Sequence, residues 1–105
     1  MRVMIKTNYG DIVVDLDPTI PVDTILAFFE YANAGKYDNQ PFDQFVAVGV
    51  NNVVVITAKT IHNETYSVSG LAEPADVLTN IHNGENLSPG GTANPAIILT
   101  VVNML

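Results

Sequence analysis

The chain has 105 residues, a length for one domain; 48% are hydrophobic and 14% charged, and eleven acidic residues against four basic ones give a formal net charge of −7. The cations Arg2, Lys6, Lys36 and Lys59 are scattered, so no basic stripe exists to neutralise phosphates, which excludes nucleic acid as a partner and leaves solubility as the reading of the acidity. Cysteine is absent, which excludes disulfides and thiolate metal sites, and no run approaches the ~18 apolar residues of a membrane span.

Residues 1–14 alternate like a strand from the start and hold no continuous apolar stretch of the kind that makes a signal peptide. The expected location is the cytoplasm. Residues 3–7 and 11–16 are two β-rich runs, and Asn8-Tyr9-Gly10 between them supplies the turn formers of a hairpin. Asp11, Asp15 and Asp17 alternate, as solvent-facing residues of an edge hairpin would. They lack the glycine and terminal glutamate of a calcium loop, so no metal is expected there. Pro18 and Pro21 bracket an extended approach to a helix.

That helix, residues 23–34, dominates the sequence. Ile25, Phe28, Phe29 and Ala32 fall at i, i+3, i+4 and i+7, one face of a helix turned to a core. Asp23 is placed to cap its start. Gly35 is placed to end it, because glycine takes the left-handed conformation at little cost. A polar turn over 36–41 follows. Residues 42–48 then read as a strand, Gly49 and Asn51-Asn52 interrupt it, and the β-branched run 53–57 resumes as a central strand.

From residue 58 the signal weakens. Residues 64–68 alternate as a short strand, and Gly70 and Glu73-Pro74 mark loops. Residues 80–95 are almost all turn formers and read as one long loop, functional or mobile. Residues 96–102 are a final buried strand. The fold class is mainly β with one main α-helix, most simply a reduced barrel or half-barrel capped by helix 23–34.

Several spaced motifs resemble one family. Thr7-Asn8-Tyr9-Gly10-Asp11-Ile12-Val13-Val14 is similar to the T-x-x-G-x-I hairpin of cyclophilins. Ile20-Pro21-Val22-Asp23-Thr24 with Phe28-Phe29 is similar to their helix start, apart from one extra residue near Val22-Asp23. Gly35, Tyr37, Asn39 and Phe42 are similar to the G-x-Y-[DN]-x-x-x-F-H-R run that leads to their catalytic strand. Further on, residues 78–82 stand where the family has L-S-M-A-N, and residues 95–100 where it has S-Q-F-F-I-T. The chain stops there, so the resemblance implies a truncated, divergent member lacking the family's last third, with an unpaired barrel edge that invites a homodimer.

The resemblance implies a peptidyl-prolyl cis-trans isomerase, whose reaction has a barrier of ~20 kcal/mol because the amide C–N bond has double-bond character. In that family an arginine donates toward the prolyl nitrogen, an apolar pocket holds the proline ring, and no cofactor takes part. Here F-H-R reads Phe42-Asp43-Gln44, and Arg2 is the only arginine in the chain. Gln44 therefore stands at the catalytic position as a neutral donor, weaker than a charged one. The resemblance places Phe42, Phe45, Val48, Ile81, His82 and Ile98 around a bound X-Pro segment of a peptide or protein. Two readings follow: a minimal isomerase with weak or absent activity, or a cyclophilin-fold binding or structural module without the chemistry.

The other candidates are modest. His62 and His82 fit no ligand spacing and read as exposed loop histidines. Ser88-Pro89-Gly90-Gly91 follows no strand and precedes no capped helix, so it is not a phosphate cradle. Tyr9 and Tyr37 fit either peptide contact or packing at element ends.

Overall fold

A computed structural model of the chain describes residues 1–59, 64–86 and 96–104. Among the described residues seven strands form one antiparallel sheet: β1 (Arg2–Thr7), β2 (Gly10–Leu16), β3 (Gln40–Pro41), β4 (Val46–Val48), β5 (Val53–Lys59), β6 (Thr65–Glu73) and β7 (Ile97–Asn103). Their order is β3-β7-β1-β2-β6-β5-β4, curled into a half-barrel. The helices are α1 (Val22–Asn33), the single turn α2 (Phe42–Phe45) and α3 (Ala75–Asn86).

Alternation explains the sheet. Val3, Ile5 and Thr7 on β1, Ile12, Val14 and Leu16 on β2, Val54 and Ile56 on β5, and Val68 and Ala72 on β6 all turn to one buried face. The register makes them neighbours: Val3 lies opposite Val14, Ile5 opposite Ile12, Val14 opposite Ala72, and Ile56 opposite Val68. Strand β7 keeps this face only by skipping a residue. Thr7 pairs with Ile98 but Lys6 with Thr100, so Leu99 is the extra residue of a bulge, and the buried positions change parity from Ile98 to Val101.

The β1–β2 hairpin turns at Asn8-Tyr9. Gly10 takes φ +125°, and the Thr7 hydroxyl donates to the Gly10 carbonyl at 2.7 Å while accepting from the Tyr9 N–H at 3.0 Å. The Asn8 side-chain oxygen accepts from the Ile97 N–H at 2.9 Å, which ties the start of β7 to the turn. This hairpin is central, flanked by β7 and β6, rather than at an edge as its aspartates suggest. The edges are the short strands β3 and β4, and β5 is next to the last.

Helix α1 lays Ile25, Phe28, Phe29 and Ala32 on the buried face, against β5, β6 and β7. It begins one residue earlier than the sequence suggests, with Pro21 at its cap and no side-chain cap, so Asp23 lies in the first turn and favours it through the helix dipole. Gly35 ends it at φ +75°. Its N–H reaches the Ala32 carbonyl at 3.0 Å and the Lys36 N–H reaches the Tyr31 carbonyl at 3.3 Å, the two bonds of a Schellman stop.

Three local expectations are corrected. Residues 42–48 are not one strand: Phe42–Phe45 makes a helical turn that buries both phenylalanines, and only Val46–Val48 is extended. Gly70 is not in a loop but inside the nine-residue β6. A Cβ there would overlap the Asp15 carbonyl oxygen and lie 2.8 Å from its carbon, so only glycine lets β6 approach β2 this closely. The stretch 80–95 is likewise not one loop, since α3 runs to Asn86 and buries Leu78 and Ile81 against β2 and β6. His62, Ser88-Pro89-Gly90-Gly91 and the rest of that loop lie outside the described residues.

Candidate functional site

Of the residues that the resemblance assigns to proline recognition, Phe42, Gln44, Phe45 and Val48 lie at the α2–β4 corner. Pro41 cannot continue β3, and the Phe42 N–H donates to the Ala96 carbonyl at 2.9 Å. That bond and the pairing of Gln40 with Ile98 set α2 beside the start of β7, so the structure brings Phe42 and Ile98 onto neighbouring segments. Gln44 is exposed on α2. Val48, 38% exposed, ends β4 at the sheet edge, opposite Val54.

Four of the assigned residues face inward. Phe42, Ile81 and Ile98 are fully buried and Phe45 nearly so, which makes them packing residues whose influence on a bound segment passes through the side chains above them. His82 is exposed on α3, on the turn that buries Ile81, and is a helix residue rather than a loop histidine. Arg2 lies on β1, two strands in from β3, where its guanidinium is 4.0 Å from the Asp15 carboxylate.

Tyr37 organises the interior behind this corner. Although it sits in a turn, it is fully buried, and its hydroxyl donates to the Thr57 carbonyl of β5 at 2.7 Å. Its ring meets Phe45 edge-on at 5.5 Å, Tyr31 edge-on at 5.1 Å and Phe28 at 5.9 Å. Burial, with the nearby Tyr31 and Tyr66, pushes its phenol far above the usual range, so it stays protonated and donates. Packing, not peptide contact, is therefore the role of Tyr37. The sequence alone leaves that open, because a tyrosine in a turn gives no sign of the strand it reaches twenty residues on.

Sequence reasoning misses a second region. Where β2 ends, a hollow of about 440 Å³ is lined by Met1, Leu16, Pro18, Val53, Gly70 and Leu71 with Asp15 and Asp17 at its side. The Asp17 carboxylate accepts from the Thr19 N–H at 2.8 Å and the Thr19 hydroxyl at 2.7 Å, which hold its pKa below the ordinary value. A smaller hollow of about 210 Å³ lies on the other side of Leu71, between Arg2, Val13 and Glu73. Among the described residues no three His, Asp or Glu side chains converge as metal ligands, and no helix is long and apolar enough to cross a membrane.

No known family pattern matches the sequence, and no curated protein matches it. Its structure is similar to the crystal structure of a cyclophilin-type peptidyl-prolyl cis-trans isomerase from Cryptosporidium parvum, with a TM-score of 0.67 over 96% of this chain and 95% of that one. The fold is cyclophilin-like. At 13% identity the likeness is one of architecture. It covers nearly the whole of both chains.

Proposed function

We propose that the chain is a minimal cyclophilin-like protein that recognises X-Pro segments of peptides or proteins at the α2–β4 corner, with weak or absent isomerase activity, in the cytoplasm of the cell that makes it. The observation that carries this reading is the exposed Gln44 on α2 of a cyclophilin-like fold, at the position where the resemblance expects an arginine. Gln44 offers a neutral amide to the prolyl nitrogen, and Val48 offers exposed apolar surface beside the edge of β4. Phe42, Phe45 and Ile98 hold that corner from within, and Ile81 and His82 belong to a second contact on α3. Losing a well-placed charged donor costs ~3–4 kcal/mol of transition-state stabilisation, or ~100- to 1000-fold in rate. Binding depends less on that one bond, so recognition outlasts turnover.

The deep burial of Phe42, Ile81 and Ile98 favours a second reading, a cyclophilin-fold binding or assembly module without isomerase chemistry. One assay separates the two. Cis/trans exchange of Ala-Pro and Gly-Pro peptides is measured by NMR for the wild type, Gln44→Ala and Gln44→Arg. Recognition without turnover predicts an inert wild type whose α2–β4 resonances shift with peptide, and a gain of exchange in Gln44→Arg. No exchange and no shift in any of the three would overturn proline recognition and leave the assembly module.

A further inference from the structure

Strand β6 outruns the neighbour it pairs with on one side. It spans Thr65–Glu73, while β2 covers it only from Glu73 to Gly70, with one further bond from the Asp17 N–H to the Ser69 carbonyl at 2.8 Å. Beyond Ser69 the pairing of β5 with β6 continues without β2: Ile56 lies opposite Val68, Thr57 opposite Ser67, Ala58 opposite Tyr66 and Lys59 opposite Thr65. Local chemistry explains why β2 stops. Pro18 follows Asp17, and the Asp17 carboxylate takes the Thr19 N–H at 2.8 Å. A continued β2 would set Thr19 opposite Ser67. Its N–H goes instead to a side chain of its own turn.

The ladder fixes where the unmatched groups of β6 point. Successive residues of an antiparallel strand send their N–H and C=O to opposite sides. The Ser69 carbonyl faces β2, so Ser67 and Thr65 face that side too, and Val68 and Tyr66 face β5. The far side of β5 agrees. The Gly49 N–H donates to the Val53 carbonyl and the Tyr37 hydroxyl to the Thr57 carbonyl, each at 2.7 Å, so Val53, Val55 and Thr57 face away from β6. Among the described residues nothing bonds Ser67 or Thr65 from the β2 side, and both residues are exposed. The edge offers two donors and two acceptors at strand spacing, a pattern that another extended backbone meets in full.

We propose that this edge takes an extended segment of a partner protein as an added strand, antiparallel to β6 in the line that β2 leaves. Three residues of the segment lie level with Ser67, Tyr66 and Thr65. The first exchanges both backbone bonds with Ser67 and the third with Thr65. The middle side chain is apolar and turns to the side of Tyr66, whose ring packs partly buried against the core. The first side chain turns to the outer face and is a lysine or arginine. It stands two places past Asp17 along one line, about 7 Å on, within reach of a long cationic side chain. The two Thr19 bonds to Asp17, at 2.8 and 2.7 Å, lower its pKa and keep it an anion. Lys59 is opposite Thr65 on β5, so the preference for a cation belongs to the first residue and not to the third.

A second copy of this chain fits the edge less well. Strand β6 holds no lysine or arginine, so two copies paired edge to edge set no cation beside Asp17, and each brings a formal −7 to the other. A partner segment with one well-placed cation has neither fault. Main-chain bonds supply its affinity and the alternate side chains its specificity. This inference stands apart from proline recognition at α2–β4, and either holds without the other.

Amide hydrogen exchange and NMR of the full chain test it. In the free chain the Ser67 amide is expected to exchange about a hundredfold faster than those of Tyr66 and Val68. The probe is acetyl-Lys-Val-Thr-Val-Thr-amide, which holds no proline. It is expected to slow exchange at Ser67 and to shift Ser67 and Thr65 while leaving α2 unmoved. The same peptide with glutamate in place of lysine should bind about fivefold more weakly or worse. Asp17→Asn keeps an acceptor for the Thr19 N–H, removes the charge, and should erase that difference. Ser67→Pro is expected to keep the circular dichroism spectrum, because the N–H it removes is unbonded, and to lose the response to peptide. Four outcomes would overturn the proposal. The first is a Ser67 amide as protected in the free chain as that of Tyr66. The second is no shift up to ~10 mM peptide. The third is equal binding of the lysine and glutamate peptides. The fourth is protection of Ser67 that grows with chain concentration in the absence of peptide, which would give the edge to a second copy.

Discussion

Two single residues hold strands at distances the rest of the sheet depends on. Gly70 is the first. Because an added Cβ would overlap the Asp15 backbone, Gly70→Ala must push β6 off β2 at the level of Leu16, and a loss of about 2–3 kcal/mol in urea unfolding is expected. Tyr37 is the second. Tyr37→Phe keeps the ring contacts and removes the hydroxyl from the Thr57 carbonyl, so about 1 kcal/mol should be lost. The same hydroxyl sets an alkaline limit. Its pKa is raised by folding, so its contribution is present below the ordinary tyrosine value of 10.0 and declines as pH rises beyond it. Tyr66, raised for the same reason and by the Glu30 charge, adds to this. The wild type should therefore lose stability above about pH 10, and Tyr37→Phe should lose less over that range, read as the unfolding midpoint against pH.

At the scale of elements, α1 is the member whose loss would be felt most. Phe28 is fully buried and meets Phe29 at 5.6 Å and Tyr37 at 5.9 Å, so Phe28→Ala should cost about 3–5 kcal/mol in chemical denaturation. This helix is legible in the sequence because a 3.6-residue period, a proline before it and a glycine after it agree. The hairpin, β5 and β7 are legible for similar reasons of alternation and turn chemistry. Helix α3 is not. Thr79, Asn80, Asn83, Gly84 and Asn86 are poor helix formers, and its apolar contribution is little more than Val77, Leu78 and Ile81, so packing rather than propensity makes it helical. Strand β6 is hidden by Gly70, which punctuates loops far more often than it permits two strands to touch. At the site, Gln44 is identified from its neighbours, but no periodicity shows that Phe42 and Phe45 belong to a helical turn facing inward.

For the whole molecule, the imbalance of charge decides how stability responds to salt. Eleven acidic residues against four basic ones leave a formal −7 on a chain of 105 residues. Like charges repel when the folded chain holds them close, and unfolding spreads them apart, so the repulsion falls on the compact state. The Arg2–Asp15 pair offsets little of it: the groups are 4.0 Å apart with both side chains more than half exposed, and such a pair is worth no more than ~1 kcal/mol. Salt therefore acts mainly on the repulsion. The screening length falls from about 30 Å at 0.01 M to about 8 Å at 0.15 M, which is shorter than any dimension of the molecule. The midpoint of urea unfolding at pH 7 should accordingly rise with sodium chloride over this range. A fold held mainly by surface ion pairs would lose stability instead.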